Sequence, residues 1–343
     1  MNSRNIPLSS LLVLLEKLVR KSLKQWDLPE NVSAELINVS ENFTYLIKNP
    51  SGFKAVLRVH RENYHSKDAI ASELSWIDAL SKSGLVETPK YFIGKDGSAI
   101  QECLIDELNL PRYLVLFHFV YGSAPDANEN LEPFYEELGR LAGSCHNHAL
   151  SWNRPDHFTR LTWDISNIFG DRALWGDWRL APEVTPGVKD TLEEVELKIR
   201  ARLSVYGKSK KRFNLIHADM RLANLLIDKG SVRLIDFDDC GFGWLMYDFA
   251  SAISFIEDSP NIPLFKSAWV KGYKSVRDLK FEDEKEIDTF VMLRRMALLA
   301  WIGSHIEAPE PQKLSSGFAA TTATLGKLWL KRQENLKIQW VME

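Results

Sequence analysis

The sequence predicts an α+β protein in two parts, a small antiparallel sheet followed by a mainly helical region. Three short apolar segments, at 36–39, 44–47 and 54–59, are separated by turn residues, as expected for successive strands. Helical spacing of apolar residues dominates from residue 131 onward. A chain of 343 residues with 45% hydrophobic and 26% charged residues is long enough for two packed lobes of an ordinary globular protein.

The leucine-rich segment near the N-terminus is expected to form an amphipathic helix. Leu8, Leu11, Leu15 and Leu18 fall on one side of it at helical spacing. The apolar run is too short for the core of a signal peptide and continues directly into Glu16. No segment approaches ~20 uninterrupted apolar residues, so we expect no membrane span.

Charge and cysteine content exclude further classes of protein. The formal net charge of −3 gives no general reason to expect nucleic-acid binding. Cys103, Cys145 and Cys240 are far apart and odd in number, so they indicate neither a disulfide framework nor a CxxC site. This pattern favours a reducing cytoplasm.

The predicted sheet continues into a strand with a charged centre and then a helix. Arg58 lies in the middle of the third strand, and a helix over 67–83 follows it. His60 and His65, in and after that strand, are expected at the surface. A buried strand is predicted within 112–122.

The remaining sequence is expected to be helical around one irregular, tryptophan-rich segment. That segment, 151–187, contains Trp152, Trp163, Trp175 and Trp178. Such a cluster, with its neighbouring carboxylates, can enclose a cationic amine through cation–π contacts. The alternative is that the tryptophans pack the segment onto its own lobe. Helices are predicted over 131–148, 189–205, 267–278, 283–306 and 316–333, and the acidic run Glu193, Glu194 and Glu196 is expected to face solvent.

Residues 213–250 carry the clearest chemical signal. Two apolar runs flank Lys229-Gly230, which predicts a hairpin because Gly adopts the positive φ of tight turns. Such a hairpin can bring Asp219, Asn224 and Asp236 to one end. One free carboxylate and an Asn/Asp pair of oxygen ligands are what metal-assisted phosphoryl transfer requires. An ordinary polar hairpin is the alternative, but the order and the five-residue spacing match the catalytic loop of kinases and favour catalysis.

The motifs HADMRLANLL and LIDFDDCGFGWLMYDFA resemble the phosphotransferase enzyme family. This family includes aminoglycoside phosphotransferases, choline kinases, type II homoserine kinases and stress response kinase A. Its first motif is usually H-G-D-x-x-x-x-N, so Ala218 stands in the place of Gly. Its second motif is matched by Ile235-Asp236, and its later Asp-Leu-Ala is matched loosely by Asp248-Phe249-Ala250.

The resemblance implies a protein-kinase-like, two-lobed α+β fold. A small antiparallel-sheet lobe that binds nucleotide would cover 1–117. A hinge would follow at 118–122, and a mainly helical catalytic and acceptor-binding lobe would cover 123–343.

The resemblance also implies a role for each candidate site residue. Asp219 would orient the hydroxyl or accept its proton, and Asn224 and Asp236 would hold Mg²⁺. Arg58 would neutralise nucleotide phosphate, with Glu73 as its acidic partner. Ser40 and Asn42 would belong to a phosphate loop without glycine, although an ordinary polar turn explains these two residues about as well. Phe117 would lie behind the adenine pocket, and main-chain groups of His118 and Val120 would contact the adenine.

The implied reaction is ATP- and Mg²⁺-dependent phosphorylation of a hydroxyl on a small molecule such as an amino alcohol, amino acid or sugar. A cationic acceptor would suit the tryptophan cluster. Two alternatives stay open from the sequence: phosphorylation of protein serine or threonine, and a pseudokinase that binds nucleotide without turnover. The intact Asp219, Asn224 and Asp236 argue against the pseudokinase.

Overall fold

A computed structural model describes residues 6–40, 42–108, 110–126 and 128–342, with the backbone alone for 335–342. Within these ranges the chain forms ten β-strands and ten α-helices. The strands are β1 (Ser33–Val39), β2 (Asn42–Lys48), β3 (Lys54–His60), β4 (Gln101–Cys103), β5 (Arg112–His118), β6 (Leu161–Trp163), β7 (Phe213–Ile216), β8 (Leu225–Asp228), β9 (Ser231–Leu234) and β10 (Gly241–Trp244). The helices are α1 (Leu8–Ser22), α2 (Lys67–Ser83), α3 (Glu132–Ser151), α4 (Ile165–Phe169), α5 (Pro186–Tyr206), α6 (Tyr247–Ala252), α7 (Ile262–Val276), α8 (Phe281–Ser304), α9 (Pro309–Ser315) and α10 (Phe318–Met342).

The first of two compact units contains the chain through Gly122 together with residues 154–159 and 307–309. Its sheet has five strands in the order β1-β2-β3-β5-β4, and every neighbouring pair is antiparallel. Helix α2 begins where the Ser66 side chain accepts a hydrogen bond from the Ala69 N–H at 3.1 Å. It ends at Gly84, whose φ of +70° is the left-handed conformation that closes many helices.

The two faces of this sheet carry different side chains, because successive residues of a strand point to opposite sides. Leu57 and Val59 of β3 belong to a core shared with Leu15 of α1. Arg58, between them in sequence, points to the other face, where it meets Glu73 of α2. The alternation of β3 therefore gives the sheet one apolar face and one that carries a buried charge.

Two histidines of this unit are buried, although the sequence analysis placed them at the surface. His60 is 2% exposed and His65 is 5% exposed, and their ring centroids are 6.4 Å apart. His60 follows Arg58 by two residues, so it lies on the same covered face of β3. The surface prediction for both residues was wrong. For His60 it considered polarity and not the parity of the strand, and His65, which lies beyond the strand, packs its ring beside those of His60 and Tyr64.

The second unit contains residues 123–153, 160–306 and 310 onward, and it is mainly helical. Its small sheet has the order β6-β10-β7, in which β10 runs parallel to β6 and antiparallel to β7. Strands β8 and β9 form a separate hairpin. The predicted α+β fold, with an antiparallel sheet in the N-terminal part and mostly helices after it, is confirmed.

Helices α3 and α7 approach so closely that glycine is required where they meet. A Cβ atom at Gly139 of α3 would lie 1.9 Å from the carbonyl oxygen of Trp269. A Cβ atom at Gly272 of α7 would lie 1.7 Å from the carbonyl oxygen of Glu136. Both neighbours are backbone atoms, so a side chain at either glycine would force the helices apart.

One acidic residue of α5 departs from the solvent-facing prediction. Glu193 and Glu194 are exposed, whereas Glu196 is only 7% exposed. The Glu196 carboxylate accepts hydrogen bonds from Nε1 of Trp178 and Nε of Arg200, both at 2.8 Å. The prediction for Glu196 was therefore wrong, because a buried indole N–H requires an acceptor.

The three cysteines are all buried and unbonded to one another. In the part of the chain that the structure describes, no helix combines the length and the apolar character that a membrane crossing would require.

Candidate active site

The predicted hairpin is present, and its turn explains its register. Lys229 has φ +50° and Gly230 has φ +84°, so both central residues adopt the left-handed conformation of a type I′ turn. The two strands pair from Asp228 with Ser231 back to Leu225 with Leu234. A two-residue turn allows no other pairing of these strands without moving their side chains to the wrong face.

This register brings two of the candidate residues to the open end of the hairpin. Beyond the last strand pair, the N–H of Ile235 donates to the carbonyl oxygen of Asn224 at 2.9 Å. Asn224 therefore lies opposite Ile235, and Asp236 is the next residue along the chain. Asn224 is 7% exposed, whereas Asp236 is exposed and has φ +61°.

Asn224 also contacts Asp219 directly. Its Nδ2 donates to the Asp219 carboxylate oxygen Oδ2 at 2.9 Å and to the Asp219 carbonyl oxygen at 2.8 Å. Both partners are acceptors, so the amide nitrogen of Asn224 faces Asp219 and its Oδ1 faces away. The structure thus places Asn224 between Asp219 and the Asp236 end of the hairpin.

The Asp219 carboxylate is not free, in contrast to the sequence analysis. Nη2 of Arg294, on α8, lies 2.9 Å from its Oδ1, and Nε of Arg221 lies 3.3 Å from the carboxylate. Burial opposes ionisation of this 8%-exposed group, but Arg221, Arg294 and the Asn224 hydrogen bond outweigh it and hold the pKa of Asp219 below its ordinary value. Asp219 is therefore an ionised, oriented carboxylate at neutral pH.

His217 links the Asp219 loop to the end of the β8–β9 hairpin. Its Nδ1 accepts from the N–H of Asp219 at 3.3 Å, so its Nε2 carries the proton and donates to the carbonyl oxygen of Ile235 at 3.1 Å. The ring also packs against Phe237, with centroids 4.5 Å apart. One imidazole thus fixes the backbone at Asp219 and immediately before Asp236.

A buried carboxylate on α6 holds the loop that carries Asp219. Asp248, with no exposed surface, accepts from the N–H groups of His217 at 3.2 Å and Ala218 at 2.7 Å. It also accepts from Nε2 of His146 at 3.0 Å, and Nδ1 of that ring accepts from the Tyr273 hydroxyl at 2.9 Å. Burial lowers the pKa of His146 despite the Asp248 carboxylate beside it.

A second side chain of α6 contributes to the same loop. Ser251, one turn later on α6, adds a hydrogen bond from the N–H of Met220 to its Oγ at 3.0 Å. Two side chains of α6 therefore hold three backbone N–H groups of the loop.

Ala218 has φ +66°, which is a conformation that glycine adopts without cost. The residue lies where the family motif has glycine, so the structure explains why glycine is usual there. In an L-residue this conformation costs roughly 1–2 kcal/mol. The Asp248 hydrogen bond to the Ala218 N–H offsets part of that cost.

The loop after Asp236 is held by residues of the tryptophan-rich segment. Arg160 donates through Nε to the carbonyl oxygen of Cys240 at 2.7 Å and through Nη2 to that of Asp238. Nε1 of Trp163 donates to the carbonyl oxygen of Asp239 at 2.8 Å. Three successive carbonyl groups are thus tied to one neighbouring segment.

Three of the four tryptophans of this segment pack internally and do not form an open cage. Trp163, Trp175 and Trp178 are 1%, 4% and 1% exposed. The guanidinium of Arg294 lies 5.0 Å from the ring centroid of Trp175, so this ring supports a residue that contacts Asp219. Of the two alternatives, the structure favours packing for these three residues.

The candidate nucleotide residues of the first unit include a buried ion pair. Nη2 of Arg58 lies 2.6 Å from Oε1 of Glu73, and the two side chains are 7% and 0% exposed. The Arg58 guanidinium also lies 5.0 Å from the ring centroid of Phe117. Glu73 is therefore not a solvated helix residue, and Arg58 is fixed in position on its strand.

The remaining nucleotide candidates lie at strand ends of the five-stranded sheet, some between β1 and β2 and the others at the end of β5. Ser40 donates its N–H to the carbonyl oxygen of Asn42 at 3.0 Å, in the turn between β1 and β2. His118 donates its N–H to the carbonyl oxygen of Lys90 at 2.8 Å, so that N–H is already used. Val120 lies just beyond the end of β5 and is half-buried.

The sequence analysis missed Arg294 and Arg160. A signal for Arg294 was present, because it interrupts the buried stripe of α8 between Leu293 and Met296. A charge within an apolar stripe needs a buried partner of opposite charge. Arg160 had no comparable signal, since its acceptors are carbonyl groups about 80 residues away in sequence.

The model of the phosphotransferase enzyme family matches residues 34–283 of the chain. The chain belongs to this family. The match includes both motifs noted in the sequence, and the prediction of a phosphotransferase is thereby confirmed.

Three relatives of this phosphotransferase show how far the similarity extends. A microcompartment-associated aminopropanol kinase of known structure is 38% identical, with a TM-score of 0.84 over 92% of this chain and 98% of that chain. The amicoumacin kinase of Bacillus subtilis (strain 168) is 26% identical over 276 residues, 76% of each protein. An amicoumacin kinase solved with AMP-PNP, Ca²⁺ and Ami is 19% identical, with a TM-score of 0.71 over 91% of this chain and 96% of that chain, and shares the fold.

Proposed function

We propose that this phosphotransferase is an ATP- and Mg²⁺-dependent kinase that phosphorylates the hydroxyl of a small amino alcohol. The observation that carries the proposal is the arrangement at the open end of the β8–β9 hairpin. There Asn224 contacts the ionised Asp219 carboxylate and lies opposite Ile235, the residue before Asp236. The relative that carries the choice of acceptor is the aminopropanol kinase, since 38% identity extends over nearly the whole of both chains.

The residues at the hairpin end fit a magnesium ion. Asn224 has its amide nitrogen committed to Asp219, which leaves Oδ1 as an oxygen ligand, and Asp236 supplies an exposed carboxylate. Mg²⁺ prefers oxygen ligands and is usually held by one or two side chains and nucleotide phosphates. When bound, the ion would neutralise charge on the phosphate oxygens.

The Asp219 carboxylate would orient the acceptor hydroxyl and accept its proton. Arg294 and Arg221 keep this carboxylate ionised, so it is ready to accept a hydrogen bond at neutral pH. Arg58, fixed by Glu73, would neutralise nucleotide phosphate. Positioning and electrostatics would supply most of the rate enhancement, as in other phosphoryl-transfer enzymes.

The choice of acceptor depends on the aminopropanol kinase relative and on the burial of three tryptophans in this chain. An amino alcohol carries a hydroxyl for transfer and an ammonium group for recognition. Trp163, Trp175 and Trp178 are buried, so recognition of the ammonium group would not depend on these rings. No observation favours phosphorylation of protein, and casein is included below to test that alternative.

Measuring ADP release with MgATP across a panel of acceptors tests the proposal. The panel contains aminopropanol, ethanolamine, choline, homoserine, a sugar, an aminoglycoside and casein. We expect stimulation by an amino alcohol, and we expect Asp219→Asn to lower turnover by roughly 10²–10⁴-fold, the range for loss of a general base. The matched control is Asp190→Asn, which removes an exposed carboxylate of α5 and should leave the rate unchanged.

Each outcome of the panel has a definite meaning. Stimulation only by the sugar or the aminoglycoside would reject the amino alcohol but keep the reaction. ADP release stimulated by casein alone would favour the protein kinase alternative. Near-normal turnover in Asp219→Asn would remove Asp219 from its proposed role.

A further inference from the structure

A cavity of about 440 Å³ lies in the first unit, and the catalytic assignment uses none of its lining residues. Its walls come from the end of β3, the β3–α2 connection and the start of β5, and one side opens to solvent. Its lining includes His60, Arg61, His65, Leu110 and Arg112. Several of these residues are basic, which is unusual for a cavity that serves only as a packing defect.

Arg112 is the most informative of these residues, because it is 2% exposed. Its Nη2 lies 3.3 Å from the carboxylate of Glu62. Among the residues that the structure describes, none accepts a hydrogen bond from its Nε or Nη1. Buried donors of a charged group are rarely left without an acceptor, because their lost hydration is not replaced.

Burial also lowers the pKa of Arg112, and the Glu62 carboxylate offsets this only in part. The Glu62 carboxylate therefore balances the buried guanidinium only in part. An anion in the cavity would supply both the missing acceptor and the missing charge.

A second arginine strengthens the positive character of the cavity. Arg61 donates from Nη2 to the carbonyl oxygen of Ser40 at 3.0 Å, and its Nη1 lies 3.6 Å from the carboxylate of Glu307. Ser66, the N-cap residue of α2, also lines the cavity, and the N-terminal end of a helix favours negative charge. Glu62 is the acidic residue of the lining.

We propose that this cavity binds a small oxyanion, a carboxylate or phosphate group, through the donors of Arg112 that Glu62 leaves open. Arg61 and the N-terminal end of α2 would add to the attraction, and His60 and His65 would form the wall. The proposal concerns a site of its own and does not depend on the reaction proposed above.

Nuclear magnetic resonance of the histidine rings tests the proposal locally. The full-length protein is titrated with inorganic phosphate or with malonate, and potassium chloride of equal ionic strength serves as the blank. Signals of His60 and His65 are assigned from His60→Gln and His65→Gln. We expect saturable shifts of both signals with one or both anions, and the anion that acts distinguishes a phosphate site from a carboxylate site.

Three variants locate the binding. Arg112→Met should raise the apparent Kd by about tenfold or more, as for loss of a charge-assisted hydrogen bond. Leu110→Glu places a negative charge at the 44%-exposed edge of the cavity and should weaken binding comparably without disturbing the core, so it decides if Arg112→Met does not fold. Arg20→Met, at an exposed arginine of α1, should change nothing.

Absence of saturable shifts in the wild-type protein would overturn the proposal. The same conclusion would follow if Leu110→Glu and a folded Arg112→Met retained wild-type titrations, because the shifts would then arise elsewhere.

Discussion

Single residues set the charge and orientation of the Asp219 carboxylate. Arg294 and Arg221 contact its oxygens, and Asn224 donates to it from the hairpin. Burial alone would raise the pKa of Asp219, so the lowered value depends on these neighbours. Removing one neighbour should therefore raise the pKa of Asp219 while the protein still folds.

Arg294→Met should move the acid limb of the pH–rate profile to higher pH. In the wild type, the pKa of Asp219 lies below its ordinary value, so its ionised form persists as pH falls until the pH approaches that lowered pKa. Without Arg294, the unchanged burial raises the pKa, and Asp219 becomes protonated at higher pH. The measurement is kcat/KM against pH for both proteins.

Arg295→Met is the matched control for that experiment. Arg295 is the next residue on α8 and is equally buried, but it pairs with Glu257. Its loss should reduce stability and leave the acid limb in place. If both variants shifted the limb equally, the effect would come from damage to α8 and not from Asp219.

Asp248→Asn should destabilise the protein by about 3 kcal/mol, as for the breaking of a buried charged network. The carboxylate accepts from two backbone N–H groups and from His146, whereas an amide has one oxygen and would direct an NH₂ group at one of these donors. Urea denaturation of the variant beside wild type measures the difference. An unchanged free energy of unfolding would show that the Asp248 hydrogen bonds contribute nothing net.

At the scale of secondary-structure elements, the packing of α3 against α7 depends on a close approach of their backbones. Gly272→Ala should lower the free energy of unfolding by about 1–3 kcal/mol or more, the range for overpacking, because the new Cβ would meet the Glu136 carbonyl oxygen. Gly187→Ala, in the first turn of α5 with open space around it, should be neutral or slightly stabilising. Equal effects of the two substitutions in thermal unfolding would contradict the contact argument.

Much of the element structure was predictable from sequence, because local signals coincide with the elements. The helix predicted over 67–83 has those bounds, with Ser66 and Gly84 as its caps. The hairpin followed from Lys229-Gly230, and its register carried Asn224 and Asp236 to one end. These features depend on turn and cap residues, which act locally.

Interactions between distant segments were not predictable in the same way. Glu196 was expected to face solvent, and only its contact with Trp178 explains its burial. His60 was misplaced because its strand is covered on both faces. Arg160 acts on carbonyl groups far along the chain, and no local pattern marks such a contact.

At the scale of the whole molecule, binding of MgATP should increase the stability of the folded protein. A ligand that binds only the folded state at about 100 times its Kd adds about 2.7 kcal/mol. MgATP should therefore raise the Tm of the wild type by a few degrees, and EDTA should remove most of that shift. Differential scanning fluorimetry measures both.

Asp236→Asn should lose the Mg²⁺-dependent part of this shift. Asp236 is exposed, so its replacement should leave the Tm of the free protein near that of the wild type. Asp190→Asn again serves as the control. Retention of the full Mg²⁺-dependent shift in Asp236→Asn would exclude this residue as a ligand of the ion.

The first unit takes in residues 154–159 and 307–309 from far along the chain. The Thr159 N–H donates to Oγ of Ser72 at 2.9 Å, and Glu307 lies near Arg61. During synthesis on the ribosome, the first of these contacts can form once Thr159 has emerged, whereas the second must wait for Glu307. The N-terminal sheet can begin to fold early, but its unit is completed only after residues 307–309 have been synthesised, so a chain terminated before them would present that unit unfinished to chaperones and proteases.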